Sequence, residues 1–227
     1  MDARKLEVLC IFLSMAVVGL SPLVVAIETQ PDPRSEIAAK AEIVKLRMMI
    51  TDKNFQFFGF ESVNQANALA DPDKVMGPPI LITRVDLKPL KQFQPASDPK
   101  ELNKRIEALV ADPKRVFFPI IVEGKFRTAL IMAYDQQKDQ WGLKRSVDAH
   151  LAEQIYKYHD ISESQLAVWV RPLNLYFFVK PSEEGFKLVP IANHPKFRFT
   201  AGVPLPAAQV FLALKNEAQN INEDSPT

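Results

Sequence analysis

The apolar residues of this chain alternate between two spacings from residue 35 to residue 218. Segments with the spacing of an amphipathic helix lie at 35–51, 62–70, 98–111, 148–159 and 206–218. Short apolar or aromatic runs typical of strands lie at 55–60, 80–87, 115–123, 126–134, 140–147, 165–171, 175–180 and 186–192. The pattern therefore predicts a protein that contains both helices and strands.

The connections between the later strands are short, which predicts antiparallel meanders. Gly124 and the polar stretch 135–139 separate three strands after the helix that begins near Asp98, and a second helix at 148–159 is again followed by three strands. The fold class predicted is α+β, with antiparallel sheet meanders and flanking helices. The order of elements also suggests two helix-plus-three-strand units at an offset of 49 residues, without sequence identity between them.

Several strands lack alternation between apolar and polar side chains. The runs 116–122, 129–133 and 175–179 are almost entirely apolar, so both faces of the sheet should be covered by helices, a partner, a second copy of the chain or an apolar ligand. The first helix has an unusually wide apolar arc, with Ile37, Ala41, Val44 and Met48 at helical spacing and more apolar residues beside them. Packing on the sheet is the simpler explanation of that arc, and pairing with a partner is the other.

Composition and charge narrow the function classes. The chain has 227 residues, 47% of them hydrophobic, and 28 Lys+Arg against 27 Asp+Glu give a net charge of +1. This balance is typical of a globular protein and gives no overall field that would attract nucleic acid. The seven glycines are too dispersed for a phosphate-binding loop.

The N-terminus has the features of a secretory signal peptide. Arg4 and Lys5 precede an apolar run from Val8 to Leu20, and small residues before Ile27 predict cleavage near Ala26. The resulting organisation is a signal peptide at 1–26, a linker at 27–34, one α+β domain at 35–218 and a flexible tail at 219–227. A periplasmic or secreted protein is expected, without a stable membrane anchor after cleavage and without a disulfide, because Cys10 is the only cysteine.

Few residues carry a catalytic or metal-binding signature. Ser146, Asp148 and His150 include the side-chain types of an acyl-transfer site, but their position between a strand and a helix favours helix capping. The three histidines have no metal-ligand spacing, and no motif indicates a cofactor. Arg84 and Asp86 lie on one face of a predicted strand and can pair, although an ordinary solvated face is the favoured explanation.

Polar and aromatic residues set within the apolar strands are the candidate binding residues, because Arg and Trp are common in binding hot spots. They are Arg127, Thr128, Trp141, Trp169, Arg171 and Asn174. The function favoured is an exported, non-enzymatic interaction module that binds a polypeptide, such as an inhibitor, chaperone or assembly factor, or that self-associates. The alternatives are a small envelope hydrolase that uses carboxylates or the Ser146, Asp148 and His150 set, and a carrier of an apolar ligand.

Overall fold

The computed structural model describes residues 30–110, 114–162, 166–182 and 185–222. Within these residues seven α-helices accompany one eight-stranded sheet. The helices are α1 (Pro33–Met49), α2 (Val63–Ala66), α3 (Pro72–Val75), α4 (Leu87–Gln92), α5 (Pro99–Val110), α6 (Ala149–Ser162) and α7 (Ala207–Ala218). The strands are β1 (Ile80–Val85), β2 (Arg115–Val122), β3 (Lys125–Asp135), β4 (Gln140–Val147), β5 (Leu166–Val170), β6 (Leu175–Ser182), β7 (Gly185–Pro190) and β8 (Leu205–Pro206).

The sheet consists of two antiparallel meanders joined by one parallel pair. Its order is β4-β3-β2-β1-β5-β6-β7-β8, and all neighbours are antiparallel except β1 and β5. The α+β class and the antiparallel meanders are therefore confirmed. The element order of helix followed by three strands also occurs twice, at α5 to β4 and at α6 to β7.

The helices of these two units lie on opposite faces of the sheet. Ile106 and Val110 of α5 belong to a large core that also includes apolar residues of α1, α4 and α7, and we call this side of the sheet the helical face. Ala152 and Ile155 of α6 belong to a smaller core with Ile82, which we call the α6 face. Both faces of the apolar strands are thus packed against helices, as their composition predicts.

The N-terminal helix begins earlier than the sequence pattern indicates. Asp32 accepts a hydrogen bond from the amide of Arg34 at 2.8 Å, and Pro33 occupies the first turn, where its missing N–H costs nothing. Part of the predicted linker at 27–34 is therefore helical, and its residues 27–29, like the predicted signal peptide, lie outside the described residues.

The prediction of a strand at residues 55–60 is wrong. Phe55–Phe58 forms a 3₁₀ helix that ends at Gly59 in the left-handed conformation with φ of 75°. Phe55 and Phe58 pack against the core of the helical face, whereas Phe57 is 85% exposed, so the aromatic run follows a helical turn and not a two-residue alternation.

The first part of the predicted tail contacts the domain. Lys91 donates a hydrogen bond to the carbonyl of Ile221 at 2.9 Å, and Gln219 donates one to the carbonyl of Lys91 at 3.3 Å. Residues 223–227 are outside the described residues. None of the helices in the described ranges is long and apolar enough to cross a membrane.

Candidate functional site

Four arginines and two aromatic residues gather on the α6 face, beyond the part that α6 covers. We call them the arginine cluster: Arg84, Arg115, Arg145, Arg171, Trp169 and Tyr176. Alternation along the strands explains why the strand residues of the cluster share a face. Ile82, Phe117 and Ala167 belong to the α6-face core, and each lies two residues from a cluster member, Arg84, Arg115 and Trp169 respectively. Arg145 lies opposite Ile131, which belongs to the same core. The cluster lies where the parallel strands β1 and β5 both end.

The α6 face is strongly concave at this cluster. Arg145 lies on β4, the first strand in the sheet order, and Tyr176 on β6, the sixth. In a flat sheet these strands would be about 24 Å apart, farther than the two side chains can reach together. Arg145 nevertheless donates a hydrogen bond to the Tyr176 hydroxyl, and its guanidinium lies 4.9 Å from the centre of the Trp169 ring. The curvature therefore brings the edge strand over the end of the parallel pair.

A bulge next to Arg145 helps to direct this side chain. Ile131 of β3 pairs with Arg145 and the next residue, Met132, pairs with Leu143, so Lys144 is the extra residue on β4. A bulge of this kind bends a strand and increases its twist. Trp169 and Tyr176, which are direct cross-strand partners, stack with ring centres 5.9 Å apart and form a flat aromatic surface below the arginine.

One carboxylate, Asp86, lies against two arginines of the cluster. Asp86 accepts from Arg84 Nε at 2.9 Å through one carboxylate oxygen and lies 3.7 Å from Arg171 Nη1 through the other. Arg84 and Asp86 thus pair with each other, and both side chains remain partly exposed. Asp148 is a further carboxylate whose field reaches Tyr176.

Arg115 is the least compensated member. It is half-buried at the start of β2, and in the described part of the chain its side chain forms no ion pair or hydrogen bond. Burial lowers the pKa of Arg115, and the positive charges of Arg84, Arg171 and Arg145 lower it further, whereas Asp86 opposes them. Burial also raises the pKa of the Tyr176 hydroxyl above its ordinary value. A bound anion would relieve the repulsion at Arg115.

Three of the six residues chosen from the sequence lie in or beside this cluster. Trp169 and Arg171 are members of it. Asn174, in the left-handed conformation with φ of 51°, accepts a hydrogen bond from the Trp169 indole at 3.4 Å and holds that ring at the turn after β5. Arg84, Arg115, Arg145 and Tyr176 were not among the candidates, although Arg84 and Arg115 had a signal, since each is a cation at the end of an apolar strand.

The other three residues have structural contacts elsewhere. Arg127 is 4% exposed at the opposite end of the sheet, where it donates to Glu61 Oε1 at 3.0 Å and to the Gly59 carbonyl at 3.3 Å. Thr128 donates to the Val147 carbonyl at 2.6 Å and so links β3 to β4. Trp141 donates to Asp32 at 3.1 Å and fixes the start of α1 to β4.

The residues of the proposed acyl-transfer set do not form a catalytic arrangement in the described structure. Asp148 accepts from the amide of Leu151 at 2.9 Å as the cap of α6, and the His150 ring contacts the Gln154 amide at 2.9 Å. No hydrogen bond joins Ser146, Asp148 and His150 within the described residues. The described residues also contain no group of three metal-ligating side chains.

A surface groove of about 470 Å³ lies between α7 and the 3₁₀ helix at Pro195–Phe197. Five of its seven lining residues are polar or charged, so it does not resemble an apolar ligand cavity. Its lining residues are Lys196, Phe197, Arg198, Ala213, Asn216, Glu217 and Asn220.

No family model matches the chain, and neither a curated protein nor a solved structure matches it. The function is therefore inferred from the arginine cluster itself.

Proposed function

We propose that this protein is an exported, non-enzymatic interaction module that binds a polypeptide partner, and that the arginine cluster binds carboxylates of that partner. The observation that carries the proposal is Arg115, a half-buried guanidinium without an ionic partner among the described residues, next to three further arginines. An unpaired charge in such a place costs stability unless a ligand compensates it.

The chemistry of the cluster favours acidic side chains or a chain terminus as the ligand. A guanidinium group is planar and offers several donors, which match the two oxygens of a carboxylate. The stacked rings of Trp169 and Tyr176 add an apolar surface next to Arg145. Arginine and aromatic residues that are partly desolvated are also the usual centre of a protein interface.

Tryptophan fluorescence tests this proposal directly. Replacing Trp141 by Phe leaves Trp169 as the reporter, because the chain has two tryptophans. A hexaglutamate peptide should change the Trp169 emission, and the affinity should fall as salt increases. Arg115→Gln should weaken binding by about tenfold or more, as expected for the centre of an interface.

Arg105→Gln is the matched control. Arg105 lies on α5, on the helical face, and pairs with Glu101 at 3.0 Å. The proposal is wrong if hexaglutamate does not bind, or if Arg105→Gln weakens binding as much as Arg115→Gln. Tighter binding of a single-stranded oligonucleotide than of hexaglutamate would assign the cluster to nucleic acid instead.

Export is the second part of the proposal. It is supported by the cationic start, the apolar run and the small residues before position 27. N-terminal sequencing of the native protein should begin near Ile27, and a native product that begins at Met1 contradicts export with cleavage.

A further inference from the structure

Helix α1 has two apolar seams on opposite sides. Ala39, Ile43 and Leu46 form the inner seam and are buried in the core of the helical face. Ile37, Ala41, Val44 and Met48 are exposed on the other side, and we call them the outer seam. Ile37 and Met48 are each 70% exposed, so packing on the sheet accounts for only half of the apolar arc of this helix.

The outer seam has the spacing of a coiled-coil interface. Its residues follow one another at intervals of four, three and four, which is the a and d pattern of a heptad with Ala41 and Met48 at a and with Ile37 and Val44 at d. At 1.5 Å per residue the seam is about 17 Å long, or three turns. That length matches three turns of one further helix.

The positions beside the outer seam are basic. Lys40 and Arg47 occupy the g positions and Lys45 an e position. Their present partners come from further around the helix or from neighbouring segments. Lys40 pairs with Glu36 and Asp73 at 2.8 and 2.6 Å, Lys45 pairs with Glu42 at 2.6 Å, and Arg47 donates to Asn67 at 3.1 Å. These are exposed contacts, which contribute little and leave the cations able to join another carboxylate.

From this pattern we infer that the outer seam binds an amphipathic helix of a partner protein whose own a and d seam is flanked by Glu or Asp. Charge at e and g positions sets the choice of partner in coiled coils. A second copy of the chain does not fit, because an antiparallel copy places Lys40 opposite Arg47 and a parallel copy places Lys40 opposite Lys45. Acidic flanks on the partner satisfy both sides of the seam.

Two designed helical peptides test the inference against the purified protein. Both have the same Leu and Ile seam, and one has Glu and the other Lys at all e and g positions. Calorimetry should show binding of the Glu peptide that weakens with salt, and little binding of the Lys peptide. Val44→Glu should weaken binding by at least about tenfold, because it places a charge in the centre of the seam.

Charge reversal supplies the sharper test. The double variant Lys45→Glu and Arg47→Glu should prefer the Lys peptide. Val203→Glu is the matched control, because Val203 is exposed to a similar degree, 45% against 41% for Val44, and lies far along the chain. This control should leave binding of the Glu peptide unchanged, and Val44→Glu should weaken that binding by the same factor whether or not Arg115→Gln is also present.

Each other outcome overturns the inference. Equal binding of the two peptides, binding of neither, or an equal effect of Val203→Glu removes the case for an acidic helical partner. A dimer of the protein that Val44→Glu dissociates assigns the seam to a second copy. Loss of Glu-peptide binding in Arg115→Gln alone places the peptide on the arginine cluster, which contradicts this inference and supports the proposed function.

Discussion

The two ends of the β2–β3 ladder each hold an arginine on an otherwise apolar strand, and the two arginines differ in what surrounds them. Arg127 lies under the Gly59–Glu61 loop and is paired with Glu61 and the Gly59 carbonyl. Arg115 lies half-buried at the other end, where no ion pair or hydrogen bond to its side chain is present among the described residues. Arg127 is also the extra residue of a bulge, because Ile120 pairs with Thr128 and Ile121 with Phe126. The two arginines therefore differ in their partners as well as in their burial, and we predict that Arg115 is the one available to a ligand.

The largest predicted effect is that of Gly59→Ala, in the loop that lies over Arg127. Gly59 has φ of 75°, and a Cβ atom there would collide with the backbone carbonyl of Arg127. The loop would have to move away from β3, so we expect a loss of roughly 2–4 kcal/mol in the free energy of unfolding. Urea denaturation measures it.

Gly124→Ala is the matched control for that substitution. Gly124 has nearly the same φ, 73°, but nothing lies within 4 Å of the added Cβ. Its cost should be limited to the backbone conformation, about 1 kcal/mol. Equal losses in the two variants would mean that the loop does not pack closely on Arg127.

Replacing Arg127 by Met should also destabilise the protein, by about 1–3 kcal/mol, because Glu61 and the Gly59 carbonyl lose a buried partner. Two of its nitrogens, Nε and Nη2, are buried without a hydrogen bond among the described residues, and their removal offsets part of that loss. Lys125→Met removes the other cation on Glu61 from a side chain that is 66% exposed, and it should change stability by less than about 0.5 kcal/mol.

The same Arg-to-Met substitution at Arg115, at the other end of the ladder, should not destabilise the protein. Arg115→Met removes a half-buried charge that the neighbouring arginines repel. The free energy of unfolding should therefore stay the same or increase by up to about 1 kcal/mol. The same variant should lose hexaglutamate binding. A loss of stability similar to that of Arg127→Met would show that Arg115 is a structural residue and would remove the contrast between the two ends.

The smallest predicted effect is the loss of the stabilisation by Glu61 at low pH. Hydrogen bonds from Lys125 and then from Arg127 lower the pKa of Glu61 from 4.5 to about 2. A carboxyl group whose pKa is lower in the folded protein stabilises the fold above its unfolded pKa, and this contribution is lost as the pH falls from about 4.5 through about 2. Unfolding curves of Glu61→Gln and the parent chain should therefore differ most above pH 5 and converge near pH 2. A constant difference over that range would show that Glu61 is not paired in solution.

The periodicity of the chain predicted much of the fold but little of the site. The meanders could be recognised because their strands are apolar and their turns short, as at Gly124. The parallel pairing of β1 with β5 could not, because nothing in either strand specifies a partner so far along the chain. The strand predicted at 55–60 was wrong because four phenylalanines in six residues satisfy a strand pattern and a 3₁₀ turn equally well.

The site was predicted in part, for a related reason. Trp169 and Arg171 could be chosen because an aromatic residue and a cation stand together at a turn. Arg145 could not, because its part in the cluster depends on the curvature that brings β4 over β6. Arg127 was chosen for the right chemistry, but its covering loop is contributed by residues more than 60 positions earlier.

The single parallel ladder has a consequence for how the chain acquires its shape. Each meander closes through local hairpins, which form quickly, whereas β1 meets β5 only after a loop from residue 81 to residue 166 has closed. When the chain is synthesised or exported from its N-terminus, β1 and the first meander leave the ribosome or the export channel well before β5. The two halves of the arginine cluster, Arg84 and Arg115 on one side and Trp169 and Arg171 on the other, therefore come together only when this long-range pair forms, so a chain that lacks the pair has no assembled cluster.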